Sequence, residues 1–211
     1  MHNLNEWLEL LRQEWAYVDA IQLGVLLLGV TEVFLARANS IYLYPAGIGA
    51  TILAIYSLFT VGLYAECLLH GYYLVMSVYG WWYWSTGKNH KPVPITFASR
   101  MDWIITVSIV VIGFGILYMA LSTFTDSGVP AWDAWVSATG WAGMWLLAKR
   151  KVENWVLLNI SNAFAIPLLF FKSLPMLGLL TIVLFVVACF GYLDWIKIVR
   201  KRLSDHGTPA V

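Results

Sequence analysis

Seven apolar runs take up most of the chain, and most of the connections between them are only a few residues long. Their limits are 18–36, 41–60, 63–84, 101–122, 132–148, 153–171 and 174–197. A hydrocarbon core about 30 Å thick is crossed by about 20 apolar residues in helical form. The third run, LYAECLLHGYYLVMSVYGWWYW, has 22 residues and as a helix would be about 33 Å long. Inside lipid every backbone N–H and C=O must find its partner within the chain, so runs of this length become helices. The expected fold is therefore an all-α membrane protein of seven transmembrane helices. Composition agrees: 60% of residues are hydrophobic and 12% charged, where a soluble domain is about a quarter charged.

What else the totals allow is narrow. A net charge of +1 gives no electrostatic footprint for nucleic acid. The two cysteines, Cys67 and Cys189, both lie in apolar runs and make neither a disulfide framework nor a thiolate metal cluster. No metal or cofactor is expected. The opening MHNLNEWLELLRQEW is too acidic for a signal peptide. Leu4, Trp7, Leu8, Leu11 and Trp15 share one face at helical spacing. That pattern suits a short helix lying on the membrane surface, or a cap packed on the bundle.

Basic residues set the orientation. Of the 13 Lys and Arg, eleven follow odd-numbered runs: Arg37; Lys88, Lys91 and Arg100; Lys149, Arg150 and Lys151; Lys197, Arg200, Lys201 and Arg202. Only Arg12 and Lys172 fall on the other side. Cytoplasmic loops carry the excess of Lys and Arg, which puts the N-terminus outside and the C-terminus in the cytoplasm. An odd number of spans is required for that pattern to hold.

The chain also repeats itself. Residues 63–84 aligned on 174–195 without gaps share six identities, and both segments end in aromatic-Gly-aromatic-x-x-Trp. The same offset of 111 sets Tyr44 against Trp155 and Phe59 against Phe170. Runs 1–3 and 5–7 read as two three-helix repeats, with run 4 as a linker. An even number of crossings separates runs 3 and 7, so the repeats are parallel, as in some transporters with a site between the repeats. The units are an amphipathic segment at 1–17, a first repeat at 18–84, a cytoplasmic loop and linker helix at 85–131, a second repeat at 132–197 and a cytoplasmic tail at 198–211.

Two long stretches resemble a known family. NSIYLYPAGIG (39–49) followed by LYAECLLHGYYLVMSVYGWWYW (63–84), and then TDSGVPAWDAWVSATGWAGMWLLAKRKVENWVLLNISNAFAIPLLFFKSL (125–174), look like the PnuC family of vitamin-precursor transporters. The resemblance spans roughly residues 20–200. It implies a three-plus-one-plus-three fold, a homotrimer in the cell (inner) membrane, and facilitated uptake of nicotinamide riboside. Related members carry thiamine or other vitamins. Two positions depart from the family's pattern. Span 6 of the family usually reads Glu-x-Trp-x-x-Trp; here Glu153 and Trp155 are present but Leu158 stands in place of the second Trp. In span 3 a glutamine is common where this chain has His70.

The polar residues of these two spans fall on single faces. Glu66, His70, Tyr73, Ser77 and Trp84 follow at intervals of 4, 3, 4 and 7 in span 3. Trp155, Asn159 and Asn162 follow at 4 and 3 in span 6. A polar stripe in a membrane helix faces protein or a watered cavity. Trp155, Asn159, Asn162, His70 and Tyr73 are the expected substrate-binding residues. Nicotinamide riboside offers a flat cationic ring, a carboxamide and ribose hydroxyls. Aromatic faces attract such a cation, and Asn offers both donors and acceptors. Thiamine shares the flat, cationic character.

Structural alternatives stand beside each reading. Glu66 lies in the first helical turn, where a carboxylate favours the positive helix end. His70 can be bonded to a neighbouring helix. Tyr79 and Trp81 to Trp84 suit an interfacial aromatic belt, as does Trp155. Asn159 and Asn162 can bond helix to helix, and TDSGVP can be a turn. Glu32, in the first span, could carry a proton, but its position near the inner end favours an ion pair with Arg37 or an acid reaching toward the interface. There is no P-loop. Together with the lack of an acid clearly placed at the midplane, this points to a passive carrier that transports without catalysis. A retinal protein would need a lysine deep in the last span, and Lys197 is at its basic end. A bis-histidine haem protein would need paired membrane histidines, and only His70 qualifies. A non-transporting receptor remains the rival, separable by flux.

Overall fold

The structure, a computed structural model, describes residues 4–16, 19–60, 64–86, 93–125 and 127–205. Eight helices follow one another: α1 (Leu4–Ala16), α2 (Ala20–Arg37), α3 (Leu43–Thr60), α4 (Tyr64–Ser85), α5 (Arg100–Phe124), α6 (Pro130–Ala148), α7 (Asn154–Phe171) and α8 (Pro175–Asp205). Each apolar run has become one helix, and the amphipathic opening is a helix of its own. By length and composition α2, α3, α5, α7 and α8 can each cross a membrane. α4 and α6 are of similar length, at 22 and 19 residues, but they carry many Trp, Tyr and small or polar residues. The chain is thus an all-helical, multi-pass membrane protein.

Packing places these helices in a ring. α2 packs on α3, α3 on α4, α4 on α6, α6 on α7, α7 on α8, and α8 returns to α2. α5 stands outside this ring, against α6, and α1 touches α8. On the α5 side, Leu117 and Leu121 meet Ala134 and Ala138 of α6. Elsewhere on α5, Ile104, Val111, Ile116 and Met119 stand open, each about 60% exposed or more. A water-soluble protein rarely leaves so continuous an apolar surface uncovered, as a membrane-spanning helix does.

The offset of 111 reappears in the coordinates as repeated hydrogen bonds. After α2, Asn39 N–H donates to Ala36 O at 3.0 Å and Ser40 N–H to Leu35 O at 2.9 Å. After α6, Arg150 N–H donates to Leu147 O at 2.9 Å and Lys151 N–H to Leu146 O at 2.9 Å. Asn39 (φ 54°) and Arg150 (φ 59°) both take the left-handed conformation. Asn tolerates it readily; Arg does not, so the second turn needs outside support. That support is dense. Arg150 Nε and Nη2 donate to Asn39 Oδ1 at 3.0 and 2.6 Å, and Nη1 donates to the Val93 carbonyl. The guanidinium also lies 4.1 Å over the Trp84 ring. Burial lowers the pKa of Arg150 from the ordinary arginine range, while the nearby Tyr44 acts in the opposite sense; a guanidinium stays charged regardless.

Aromatic residues lock the same end of the ring in matched pairs. Tyr44 lies against Gly80, where an added Cβ would fall 2.5 Å from the ring; Trp155 lies against Gly191, where it would fall 2.7 Å away. Trp84 Nε1 donates to Ala148 O and Trp195 Nε1 to Ala36 O, both at 3.2 Å. α4 thus bonds to α6, and α8 to α2. These four rings join Ile95, Leu147 and Val152 in one core cluster. Ile95 comes from the extended approach to α5, which Thr96 ties to the α6–α7 turn through Thr96 N–H to Arg150 O and Val152 N–H to Thr96 O.

Ion pairs near the helix ends settle several sequence alternatives. Arg37 pairs with Asp194 at 2.8 Å, so Glu32 is not its partner. At the opposite end Lys172 pairs with Asp133 at 2.6 Å, and Ser127 Oγ donates to the same carboxylate at 2.5 Å. The TDSGVP segment is in that respect a structural turn; Asp126 lies outside the described residues, as does the side chain of Glu66.

Candidate functional site

Exposure tells which arc of each helix faces inward. On α7, Val156, Ile160 and Phe164 are exposed and take the outer arc. Leu158 and Ser161 face α6: Leu158 Cδ2 would lie 2.7 Å from a Cβ at Gly143, and Ser161 Oγ donates to Val136 O at 2.8 Å. Trp155 and Asn159 face α8. At 100° per residue, Asn162 falls between these two sets, on the inner side of the ring. It is half-buried and makes no hydrogen bond among the described residues.

The five predicted residues therefore separate into two groups. Trp155 is 1% exposed, wedged on Gly191 and set edge-on to Trp195 at 5.6 Å. Its indole N–H has no partner among the described residues. Asn159 donates to Cys189 Sγ at 3.3 Å, while its buried Oδ1 is unpaired. Both residues border a groove of about 500 Å³ between α7 and α8, lined also by Phe185, Cys189 and Tyr192. His70 and Tyr73 are neighbours on α4, ring to ring at 5.9 Å. Tyr73 reaches α6 and α7: a Cβ at Gly140 would meet its Oη at 3.1 Å and Ser161 Oγ at 3.4 Å. Tyr73 and Asn162 thus turn toward the ring interior from α4 and α7, whereas Trp155 and Asn159 turn toward α8.

One further inward residue is Glu32, which the sequence pattern sets beside Arg37. Glu32 lies on α2 opposite the exposed Leu23, Leu27 and Phe34, so it too points into the ring. Gly47 of α3 leaves room for it: an added Cβ there would sit 2.6 Å from the Glu32 carboxyl carbon. The carboxylate lies within electrostatic range of the Tyr44 and Tyr73 hydroxyls. Tyr44 is 1% exposed and its Oη has no partner among the described residues. Glu32, five residues from the end of α2, is about 8 Å above the closed end; Asn162 and the Tyr73 hydroxyl are at about 12 Å. The signal for Glu32 was in the sequence, as the acid inside an apolar run, but proximity to Arg37 in the chain was misleading.

Chemically, this interior offers one carboxylate, tyrosine hydroxyls and a carboxamide around aromatic faces. It suits a polar, flat organic molecule. Among the described residues no group of three or more His, Cys, Asp or Glu converges to hold a metal.

Comparison with known proteins bears on what such a ring does. The sequence profile of the family described as nicotinamide mononucleotide transporter matches residues 19–197. The nicotinamide riboside transporter PnuC of Escherichia coli (strain K12) is 23% identical over 172 residues, covering 69% of this chain and 72% of its own. Its counterpart in Shigella flexneri matches to the same extent. A crystal structure of the vitamin B3 transporter PnuC superposes with a TM-score of 0.67 at 23% identity, covering 84% of this chain and 81% of the other. The relatives are transporters, the fold is theirs, and the family profile covers nearly the whole chain: it belongs to the PnuC family of nicotinamide mononucleotide transporters.

Proposed function

We propose that this chain takes up nicotinamide riboside by facilitated diffusion, and that its two three-helix halves rock about the interior of the ring. The observation that carries this reading is the convergence of Tyr73, Asn162 and Glu32, from both halves, on a ring interior sealed at one end by aromatic residues. Matched turns at Asn39 and Arg150, and matched Tyr44–Gly80 and Trp155–Gly191 contacts, support two parallel repeats with α5 as the linker. A three-plus-one-plus-three arrangement follows, with units at the boundaries given above. Nine of the 13 basic residues, Arg37, Arg100, Lys149, Arg150, Lys151, Lys197, Arg200, Lys201 and Arg202, lie at the sealed end or beyond it, which supports a cytoplasmic C-terminus and an outside N-terminus. Residence in the cell (inner) membrane and assembly as a homotrimer rest on the family resemblance.

In this reading His70 and Tyr73 supply the aromatic face and Asn162 orients the carboxamide. Trp155 and Asn159 border the interior from the α8 side, where the indole N–H and the amide oxygen are unpaired among the described residues. With no P-loop for nucleotide, the driving force is the cargo gradient, kept up by a cytoplasmic enzyme that modifies the cargo.

Titration of the purified protein with nicotinamide riboside and with thiamine, followed by tryptophan fluorescence, tests the cargo. Twelve tryptophans give ample signal. Saturable binding of nicotinamide riboside alone is expected. Binding of thiamine alone would move the cargo to thiamine and make His70 and Leu158 the residues that changed the pocket. Binding of neither would remove both cargoes.

A further inference from the structure

We infer that Glu32 is the counter-charge of the transport site and selects cationic cargo over a neutral molecule of the same shape; this rests on the proposed transport function. The carboxylate is inside the ring, on the arc of α2 opposite its exposed residues. The nearest cation in the chain, Arg37, is taken by Asp194 at 2.8 Å. Arg150, the buried cation of this end, is taken by Asn39 and the Val93 carbonyl. Glu32 forms no ion pair and no hydrogen bond among the described residues. Lys149 sits over the Tyr79, Tyr83 and Trp145 rings, away from α2.

An acid left alone in low-dielectric surroundings is costly, and the cost is met by a proton or by a cation. Acids inside membrane spans are rare, and they mark substrate or ion pathways. Two features on neighbouring helices prepare this place for a visiting cation. Gly47 leaves the space that the carboxylate fills. The hydroxyls of Tyr44, fully buried and unpaired among the described residues, and of Tyr73 lie within electrostatic range of the carboxylate. A positively charged flat ring entering between Tyr73 and Asn162 would meet the only unpaired carboxylate seen on the described inner arcs of α2, α4 and α7. A neutral ring of equal size would gain the stacking and the amide contacts but no charge pairing.

The test compares nicotinamide riboside, whose pyridinium ring is cationic, with its reduced 1,4-dihydro form, which is neutral. Affinities for both are measured on the wild type and on Glu32→Gln, with Glu32→Asp as the charge-retaining control. The wild type should prefer the cation. In Glu32→Gln the cation-to-neutral affinity ratio should fall by about tenfold or more, the size of a close charge pair. Glu32→Asp should keep the preference. An unchanged ratio in Glu32→Gln would overturn the inference, and so would an equal loss for both ligands. Should Glu32→Gln not fold, a loss of preference in Glu32→Asp would overturn it instead. A wild type that binds neither ligand would overturn both the inference and the transport reading, and that failure shows before any variant is made.

Discussion

Asn162 and Trp155 share a helical face and differ in what stands opposite. Trp155 meets the bare backbone of Gly191 and the edge of Trp195; Asn162 meets the ring interior. Trp155→Ala should therefore cost stability, about 3–5 kcal/mol for a large aromatic removed from a packed site, read as a lower thermal midpoint in detergent. Asn162→Ala should leave the midpoint nearly unchanged and weaken ligand binding by about 1–3 kcal/mol, the cost of leaving a partner unsatisfied. Unaltered affinity in that variant would remove Asn162 from the site. Helical spacing made both residues candidates, because spacing gives a face. What packs against the face depends on residues far along the chain, and no pattern within α7 could supply Gly191. The same limit affected Glu32: its sequence neighbour Arg37 looked like its partner, yet Asp194 from α8 holds Arg37.

Helices and turns were the more readable level. Every apolar run became a helix within about two residues at most ends, because lipid leaves the backbone no other way to satisfy its polar groups. The last helix runs on to Asp205, since beyond the apolar run the sequence KIVRKRLSD has no Gly or Pro to stop it. The proposed repeat is legible in sequence chiefly in its ending, aromatic-Gly-aromatic-x-x-Trp, where the structure sets matching contacts. Each such Gly is the seat of a ring from the helix before it, and the final Trp donates its N–H to α6 in one case and to α2 in the other. Gly80→Ala should overpack Tyr44 and cost about 1–3 kcal/mol, and Gly191→Ala should do the same through Trp155. A thermal midpoint equal to wild type in either variant would contradict the contact. Arg150→Lys should also destabilise, since an ammonium cannot reproduce the fork that holds Asn39 and Val93; unfolding of the purified variant at lower temperature would show it.

At the level of the whole molecule, six helices close a ring, α5 stands outside it against α6, α1 touches α8, and the basic end is shut by aromatic residues and Arg150. Charge alone gives the proposed orientation of the chain, because loop Lys and Arg bias insertion irrespective of tertiary contacts. Single cysteines placed at Ser173 and at Lys201, in a background without Cys67 and Cys189, should be labelled from opposite sides of the membrane, Ser173 from outside. Labelling of both from one side would contradict the orientation. The closure of the ring was not legible from sequence, since it depends on α4 meeting α6 across the intervening α5.

Passive carriage is measured most directly by proteoliposome uptake. Vesicles containing the purified protein should accumulate labelled nicotinamide riboside only to the outside concentration. With a phosphorylating enzyme and ATP trapped inside, accumulation should rise well beyond it. Neither a proton nor a sodium gradient should change the plateau. Uptake no faster than in empty vesicles would contradict transport, and concentration above the outside level without the trapped enzyme would contradict facilitated diffusion.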